Sequence, residues 1–309
     1  MKSNPKISVL MSVYDGAKYL EESIKSIQNQ TFSDFEFIIV NDASTDNSLE
    51  IIKNFSDPRI IILNNPKNLG LTKSLNIGLK QASGEYIARL DADDLSFPER
   101  LEKQLSFMEK NEDFALVGSS AVLINEEGKI VGKKNKPIEF FEIKFHSLLK
   151  NPFLHPSLFF KKEILAKVGN YNENFSFAQD YELTSRLINL GYKVSNLSEP
   201  LIKYRLENNS ITGNKETRKI QLVKALEVSF NNCSCYYNFK KENIISLIKG
   251  VNKEKTGFFE MIFNLINLYR LKSSFLKKEK SIQKEKIISI YKSEQKSVIS
   301  SFLKPSINS

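Results

Sequence analysis

The chain has 309 residues, 41% of them apolar and 26% charged, which suits a globular protein with a sizeable core and excludes a disordered or fibrous one. Its formal net charge of +9 is unevenly placed: residues 1–214 hold 26 Lys and Arg against 28 Asp and Glu, whereas residues 215–309 hold 19 against 8. The basic character therefore belongs to the C-terminal third, and no nucleic-acid partner is expected for the rest. Cys233 and Cys235 are the only cysteines, too close together for an unstrained bridge and too few for a four-ligand metal site. Reduced thiols in a cytoplasmic protein are expected. No uninterrupted apolar run reaches the ~18 residues of a membrane span, and Ile7–Val13 is too short for a signal peptide.

In chain order, Ile7–Val13 reads as a strand, followed by a Tyr14-Asp15-Gly16 turn and a helix from about Lys18 to Asn29. Phe35–Val40 is a second strand, ending in the polar run Asn41–Ser48, which supplies turn and N-cap chemistry for a helix through about Phe55. Ile60–Leu63 is a third strand. Thr72 opens a helix to Ala82, with Gly84 just past its end. Tyr86–Leu90 is a fourth strand, and Ser96-Phe97-Pro98-Glu99 has the form of a capping box for a helix to Lys110. A hairpin over 115–132, a helix over 139–149, the segment 158–160, and helices over 162–168 and 181–190 complete the first two thirds. Beyond about Lys215 the pattern is helical and Lys-rich.

Strand and helix alternate four times in the first 110 residues, which implies an α/β fold with a mostly parallel sheet covered by helices on both faces. Ligands of such sheets bind beyond the carboxyl ends of the strands, where Asp15, Asp42 and Asp91 all lie. The fourth strand runs straight into Asp91-Ala92-Asp93-Asp94. On an extended segment Asp91 and Asp93 point the same way. Paired carboxylates of this kind suit a hard divalent cation, Mg²⁺ or Mn²⁺, with open positions left for a diphosphate. The other reading of the run is an acidic turn capping the next helix.

Six segments, Ile7–Gly16, Val40–Ser48, Asn68–Gly78, Gly84–Arg100, His155–Ser157 and Ala178–Arg186, resemble in order the inverting, nucleotide-sugar-dependent glycosyltransferases of family 2, which have the GT-A fold. The resemblance spans about residues 5–210. It implies a catalytic domain over 1–214, with a nucleotide-sugar-binding half at 1–110 and an acceptor-side half at 111–214, and a C-terminal α-helical extension over 215–309. It further implies that Val13, Tyr14 and Asp42 hold the base, Asp42 by accepting from an imide N–H as uracil offers. Asp91, Ala92 and Asp93 would meet the ribose, diphosphate and metal, with Asp93 the direct ligand and Asp91 beside it. Lys73 is the cation nearest the diphosphate, because Leu75 stands where many relatives have Arg. Asp180 would be the general base, and His155 and Gln179 would lie on the acceptor side; Gln179 replaces a Glu that is usual in the family. The implied reaction is transfer from a UDP-sugar to a hydroxyl of a growing bacterial surface glycan or lipid-linked acceptor. A sugar-nucleotide nucleotidyltransferase lacks support, since Ser12–Gly16 is not a Gly-rich phosphate loop, and a non-catalytic binding relative would be favoured had Asp93 or Asp180 been missing.

In the extension, Gly257–Leu271 places Glu260, Asn264, Asn267 and Arg270 as a polar stripe on an apolar helix, followed by Lys272, Lys277, Lys278, Lys280, Lys284 and Lys286. Packing against protein, through the catalytic domain or self-association, is one expectation. The other is peripheral attachment to the inner face of the cell membrane through residues 255–309, with Phe258, Phe259 and Phe263 entering the interface.

Overall fold

The computed structural model of the protein describes residues 4–206, 215–234, 236, 242, 246, 258–279 and 284–303, with the backbone alone for 215–219, 258–263, 284–286 and 300–303. The strands among these residues are β1 (Ile7–Val13), β2 (Phe35–Asn41), β3 (Ile60–Asn64), β4 (Tyr86–Arg89), β5 (Leu95–Ser96), β6 (Phe114–Ile124), β7 (Ile130–Lys134), β8 (Phe159–Lys161) and β9 (Lys193–Arg205). The helices are α1 (Ala17–Gln28), α2 (Ser48–Lys53), α3 (Leu71–Gln81), α4 (Arg100–Lys110), α5 (Phe140–His146), α6 (Lys162–Lys167) and α7 (Gln179–Asn189), then α8 (Lys215–Ser234), α9 (Phe258–Lys278) and α10 (Lys284–Leu303).

The strands form one sheet in the order β3-β2-β1-β4-β8-β6-β9-β5, with β7 on β6. β3, β2, β1 and β4 are mutually parallel. β8 runs against both β4 and β6, so β6 regains the direction of β4, and β9 follows β6 in parallel. Six of the nine described strands thus point one way, and the carboxyl ends of β1, β2, β4 and β9 share one edge. Residues alternate between the two faces. Val9, Met11, Phe37 and Ile39 pack with Leu20, Ile24, Leu101 and Leu105 of α1 and α4. Leu10, Ile38 and Val40 face α3, which approaches so closely at Gly78 that a Cβ there would lie 2.2 Å from Leu10 Cδ1. Helices cover both faces, as the strand–helix rhythm implies.

Three local readings change. Glu99, not Ser96, precedes the first turn of α4, and no side chain caps it. Ser96 is instead drawn into β5, whose partner is β9, and its Oγ accepts from Arg100 Nη1 at 3.0 Å. Gly84 is not the left-handed residue ending α3, which stops at Ala82 in extended geometry. Glycine is needed there because a Cβ would sit 2.5 Å from the backbone nitrogen of Ser8. β9 itself has no counterpart in the sequence reading, since Ser195, Asn196, Ser198, Glu199 and Pro200 break the alternation by which strands are recognised.

The chain divides into two compact units. One comprises residues 1–138 and 153–221. The other joins 139–152, a segment read from sequence as acceptor-side, to 222–309. Within it Phe145, Leu148 and Leu149 share a core with Cys233, Leu268, Leu271, Phe275, Ile287, Ile290 and Val298. Cys233 is buried, its thiol donating to the Leu148 carbonyl at 3.2 Å, and Cys235 lies outside the described residues. The polar stripe of α9 splits. Asn264 and Asn267 are buried, and Asn264 exchanges hydrogen bonds with Ser246, whereas Arg270 is exposed. Steps of three residues fall ~60° short of a turn each, so a stripe built from them drifts around the helix. The side chains of Glu260, Phe258, Phe259 and Phe263 lie outside the described set, as does Lys280.

Candidate active site

At the common edge, the loops after β1 and β2 are stitched together. Asp15, at φ 49°, accepts from the Thr45 N–H at 2.7 Å, and Ser44 Oγ accepts from the Asp15 N–H at 3.1 Å. Asp46 Oδ2 accepts from Ala17 N and Oδ1 from Ser48 N, so one carboxylate serves the N-termini of both α1 and α2. Val13 is buried beneath this loop, and Tyr14 stands 50% exposed beside it. Asp42 is 1% exposed. Its carboxylate accepts from Asn65 Nδ2 at 2.7 Å, Leu69 N at 2.9 Å and Gly70 N at 2.8 Å. It thereby fixes the approach to α3 with three of its roughly four acceptor sites. Lys73 lies on the exposed side of α3, opposite the buried Leu75.

The acidic run after β4 is a turn, not an extended segment, because Asp94 N folds back to the Asp91 carbonyl. Strand alternation therefore does not align Asp91 with Asp93. The turn does, and it brings in Asp94: one oxygen from each of Asp91, Asp93 and Asp94 lies within 4.8 Å of the others. Ser23 of α1 holds the turn through its hydroxyl, 2.7 Å from the Asp94 carbonyl and 3.1 Å from that of Asp91. From β9, Arg205 N donates to Asp94 Oδ1 at 2.7 Å, and Arg205 Nε to the Asp93 carbonyl at 2.9 Å. The rest of the Arg205 guanidinium donates to the carbonyls of Asn125 and Glu126, pairs with Glu22 and stacks on Tyr19. Burial, reinforced by Asp93 and Asp91, pushes the Asp94 carboxyl well above the usual range. Its Oδ2 has no hydrogen-bond donor among the described residues. Converging hard oxygens, one of them lacking a donor, fit a divalent cation. Ala92, half-buried between these carboxylates, packs on the core near Val13 and Gly16.

On the other side of β4, Asn76 of α3 grips the Tyr171 backbone, donating to its carbonyl at 2.9 Å and accepting from its N–H at 3.1 Å. Tyr171 Oη lies 2.9 Å from His155 Nε2. Burial, then the nearby Arg89 charge, pushes the His155 imidazolium well down, so the ring is neutral at pH 7. Thr72 Oγ1 donates to the Phe175 carbonyl at 2.7 Å and holds the chain leading into α7. α7 begins at the buried Gln179, after Ala178 in a left-handed conformation, and puts Asp180 in its first turn. Burial raises the Asp180 carboxyl above its ordinary value, with Arg89 opposing and Asp91 adding to the shift. Arg186 is taken up by Glu182 and the carbonyls of Val168 and Asn170, a structural assignment.

Asp180 and the acidic turn thus share one electrostatic neighbourhood with His155, Tyr171 and Arg89. Asp94, Arg89, Arg205, Ser23 and Tyr171 have no place among the residues expected from sequence. The third carboxylate and a lone Arg inside an apolar strand were visible signals, but nothing local marks Ser23, Tyr171 or Arg205.

An uncharacterized glycosyltransferase of Methanocaldococcus jannaschii is 44% identical over 210 residues, covering 66% of this chain and 72% of its own. The O-antigen biosynthesis glycosyltransferase WbnJ of Escherichia coli is 39% identical over 214 residues, covering 66% and 81%. Among solved structures, S. aureus TarS 1-349 in complex with UDP-GlcNAc superposes with a TM-score of 0.59 at 17% identity, over 96% of this chain and 89% of that one. The mannosyltransferase PcManGT of Pyrobaculum calidifontis, in complex with GDP-Man and Mn²⁺, gives 0.60 at 17% identity, over 98% and 87%. The fold is therefore of the GT-A type. Residues 8–169, which run from the second residue of β1 past β8 and contain the whole acidic turn, match the family described as Glycosyl transferase family 2; the chain is a glycosyltransferase and belongs to that family.

Proposed function

We propose that the protein transfers a sugar from a nucleoside diphosphate sugar, a UDP-sugar by preference, to a hydroxyl of a surface glycan or lipid-linked acceptor, with inversion. What supports this is the shared neighbourhood of Asp180 and the acidic turn at the carboxyl edge of the parallel strands. Asp93 and Asp91, with Asp94 behind them, would hold a divalent cation. When bound, it supplies Lewis-acid neutralisation of the departing diphosphate. Tyr14 offers an aromatic face to the base, and Val13 the floor beneath it. Asp42 braces the Leu69–Gly70 backbone and has one acceptor site left for an imide N–H. Asp180 takes the proton of the acceptor hydroxyl as that oxygen attacks the anomeric carbon from the face opposite the diphosphate. One displacement inverts the centre. His155, neutral and hydrogen-bonded to Tyr171, and Gln179 line the acceptor side.

Relatives and neighbours lend the substrate class: WbnJ is named for O-antigen biosynthesis, and TarS and PcManGT were solved with UDP-GlcNAc and GDP-Man. A panel of nucleotide sugars, incubated with Mn²⁺ and lipid-linked or glycan acceptors, tests the reading. UDP release that rises on adding acceptor is expected. Release of pyrophosphate would mean nucleotidyl transfer instead, and donor binding without any release would mean a non-catalytic role.

The same reading places the enzyme beside a lipid-linked acceptor. No described helix is long and apolar enough to cross a membrane. α10 does expose Ile288, Lys292, Lys296 and Ile299, spaced four, four and three apart on one face. Its acidic Glu294 is turned inward to Lys150. An apolar face edged with cations suits anionic lipid, each lysine adding ~1 kcal/mol. The full-length protein should co-sediment with anionic vesicles at low salt, and Lys292→Glu with Lys296→Glu should weaken that by more than ~10-fold. Protein that stays in the supernatant at low salt would remove the membrane assignment.

A further inference from the structure

β4 carries an arginine where a buried central strand ordinarily carries an apolar side chain. Arg89 is 1% exposed and flanked by Ala88 and Leu90, both in the core. Its Nη1 is ion-paired with Asp91 Oδ2. Its Nε and Nη2 are buried without a hydrogen-bond acceptor among the described residues. Arg100 beside it is equally buried but satisfied, donating to Gln104 Oε1 at 3.0 Å, Ser96 Oγ at 3.0 Å and the Arg89 carbonyl at 2.6 Å. Arg100 is accounted for as a structural tie. Arg89 is not, since a buried cation with unfilled donors opposes folding and is retained only where something else requires it.

Its position supplies the requirement. The guanidinium acts electrostatically on the carboxylates of Asp91, Asp94 and Asp180 and on the Tyr171 and His155 side chains. Three carboxylates brought within 4.8 Å repel unless a positive charge offsets them. We propose that Arg89 is the positioning residue of the site, a built-in counter-ion that holds Asp91 by one oxygen, keeps the acidic turn converged before a divalent cation arrives, and ties that turn to the Asp180 side. The inference rests on the glycosyl-transfer reading above. It divides the labour of the turn: Asp91, with Oδ2 claimed by Arg89, presents Oδ1 to the donor, while Asp93 supplies most of the charge that meets the cation.

The test compares full-length wild type, Arg89→Met, which removes the charge at similar bulk, and Arg89→Lys, which keeps it. Thermal midpoints are read in EDTA and in Mn²⁺ without nucleotide, beside kcat and KM for the donor. The Mn²⁺-induced rise in Tm should be several degrees larger in Arg89→Met than in wild type, because the bound cation replaces the lost counter-charge. In Mn²⁺ that variant should be as stable as wild type, with kcat down ~10-fold or more and donor KM within ~3-fold. Arg89→Lys should return the Mn²⁺-induced rise to the wild-type value and recover part of kcat. A merely structural arginine would lower Tm equally in both conditions, and that result, or wild-type kcat in Arg89→Met, overturns the proposal. If Arg89→Met folds only in Mn²⁺ the proposal stands. If it folds in neither, Arg89→Lys decides, and an enlarged Mn²⁺ response there overturns it. A wild-type protein whose Tm ignores Mn²⁺ would instead undo the metal reading on which the inference rests.

Discussion

Asp180→Asn is expected to cut turnover by ~10²-fold or more, the usual scale for a positioned base, while leaving nucleotide affinity within a few-fold. Asn keeps the size and the first-turn position on α7, and the Thr184 hydroxyl still reaches the backbone carbonyl of residue 180. Burial raises the Asp180 carboxyl in the folded protein, so the folded state binds its proton more readily than the unfolded chain. What this group contributes to stability is therefore present at low pH and lost as pH rises through the raised value. At neutral pH the ionised carboxylate is a burden, and the Asn variant should melt no lower than wild type. The same shift predicts that wild-type kcat falls on the acid side at a pH above the ordinary carboxylate value of ~4. That limb should vanish from the residual activity of the variant. Parallel loss of nucleotide affinity and turnover would make Asp180 a binding or folding element. An unchanged acid limb would assign the proton transfer elsewhere.

Asp93→Asn addresses the other half of the site. Turnover should fall ~10²-fold or more, since a cation neutralising a departing diphosphate contributes several kcal/mol and each 1.4 kcal/mol is tenfold. The fold should survive, because Asn is close to Asp in size and keeps the backbone carbonyl of residue 93 that Arg205 Nε holds in the turn. Mn²⁺-dependent UDP binding, followed by calorimetry, should be lost with the activity. Two results would remove the metal assignment: full wild-type activity after exhaustive chelation, or a variant that binds UDP with undiminished Mn²⁺ dependence. Asp94→Asn is the informative companion. Asp94 accepts from Arg205 N and is otherwise buried, so its loss should fall more heavily on stability than Asp93→Asn does.

Much of the fold was legible in the chain because its signals are local. β1 to β4 and the helices between them differ from the expected bounds by two residues at most, and α2 starts at the end of the polar run that was read as its turn and N-cap. Apolar periodicity changes from two to about 3.6 at each boundary. The placement of Asp15, Asp42 and Asp91 at one edge follows from parallel strands alone. Ser96 shows the limit of such reasoning. Its spacing to Glu99 is that of a capping box, but pairing with β9 and a hydrogen bond from Arg100 outweigh one cap.

The sequence by itself determined the α/β class, the order of the parallel strands' loops and the residue types at the candidate site, because each is carried by spacing within a dozen residues. The tertiary structure alone decided how those residues meet. Asp91, Asp93 and Asp94 converge through a turn held by Ser23, 68 to 71 residues earlier, and by Arg205, 111 and 112 residues from the Asp94 carboxylate and the Asp93 carbonyl it holds. Asp180 comes into their neighbourhood because Asn76 and Thr72 of α3 anchor Tyr171 and Phe175, 95 and 103 residues on. Contacts at such separations leave no periodic trace, since either partner looks like an ordinary polar residue in its own segment. Arg89 is the sharpest case. In the chain it is one charge in an apolar strand, and only burial, an ion pair with Asp91 and unfilled donors make it the counter-ion of the site.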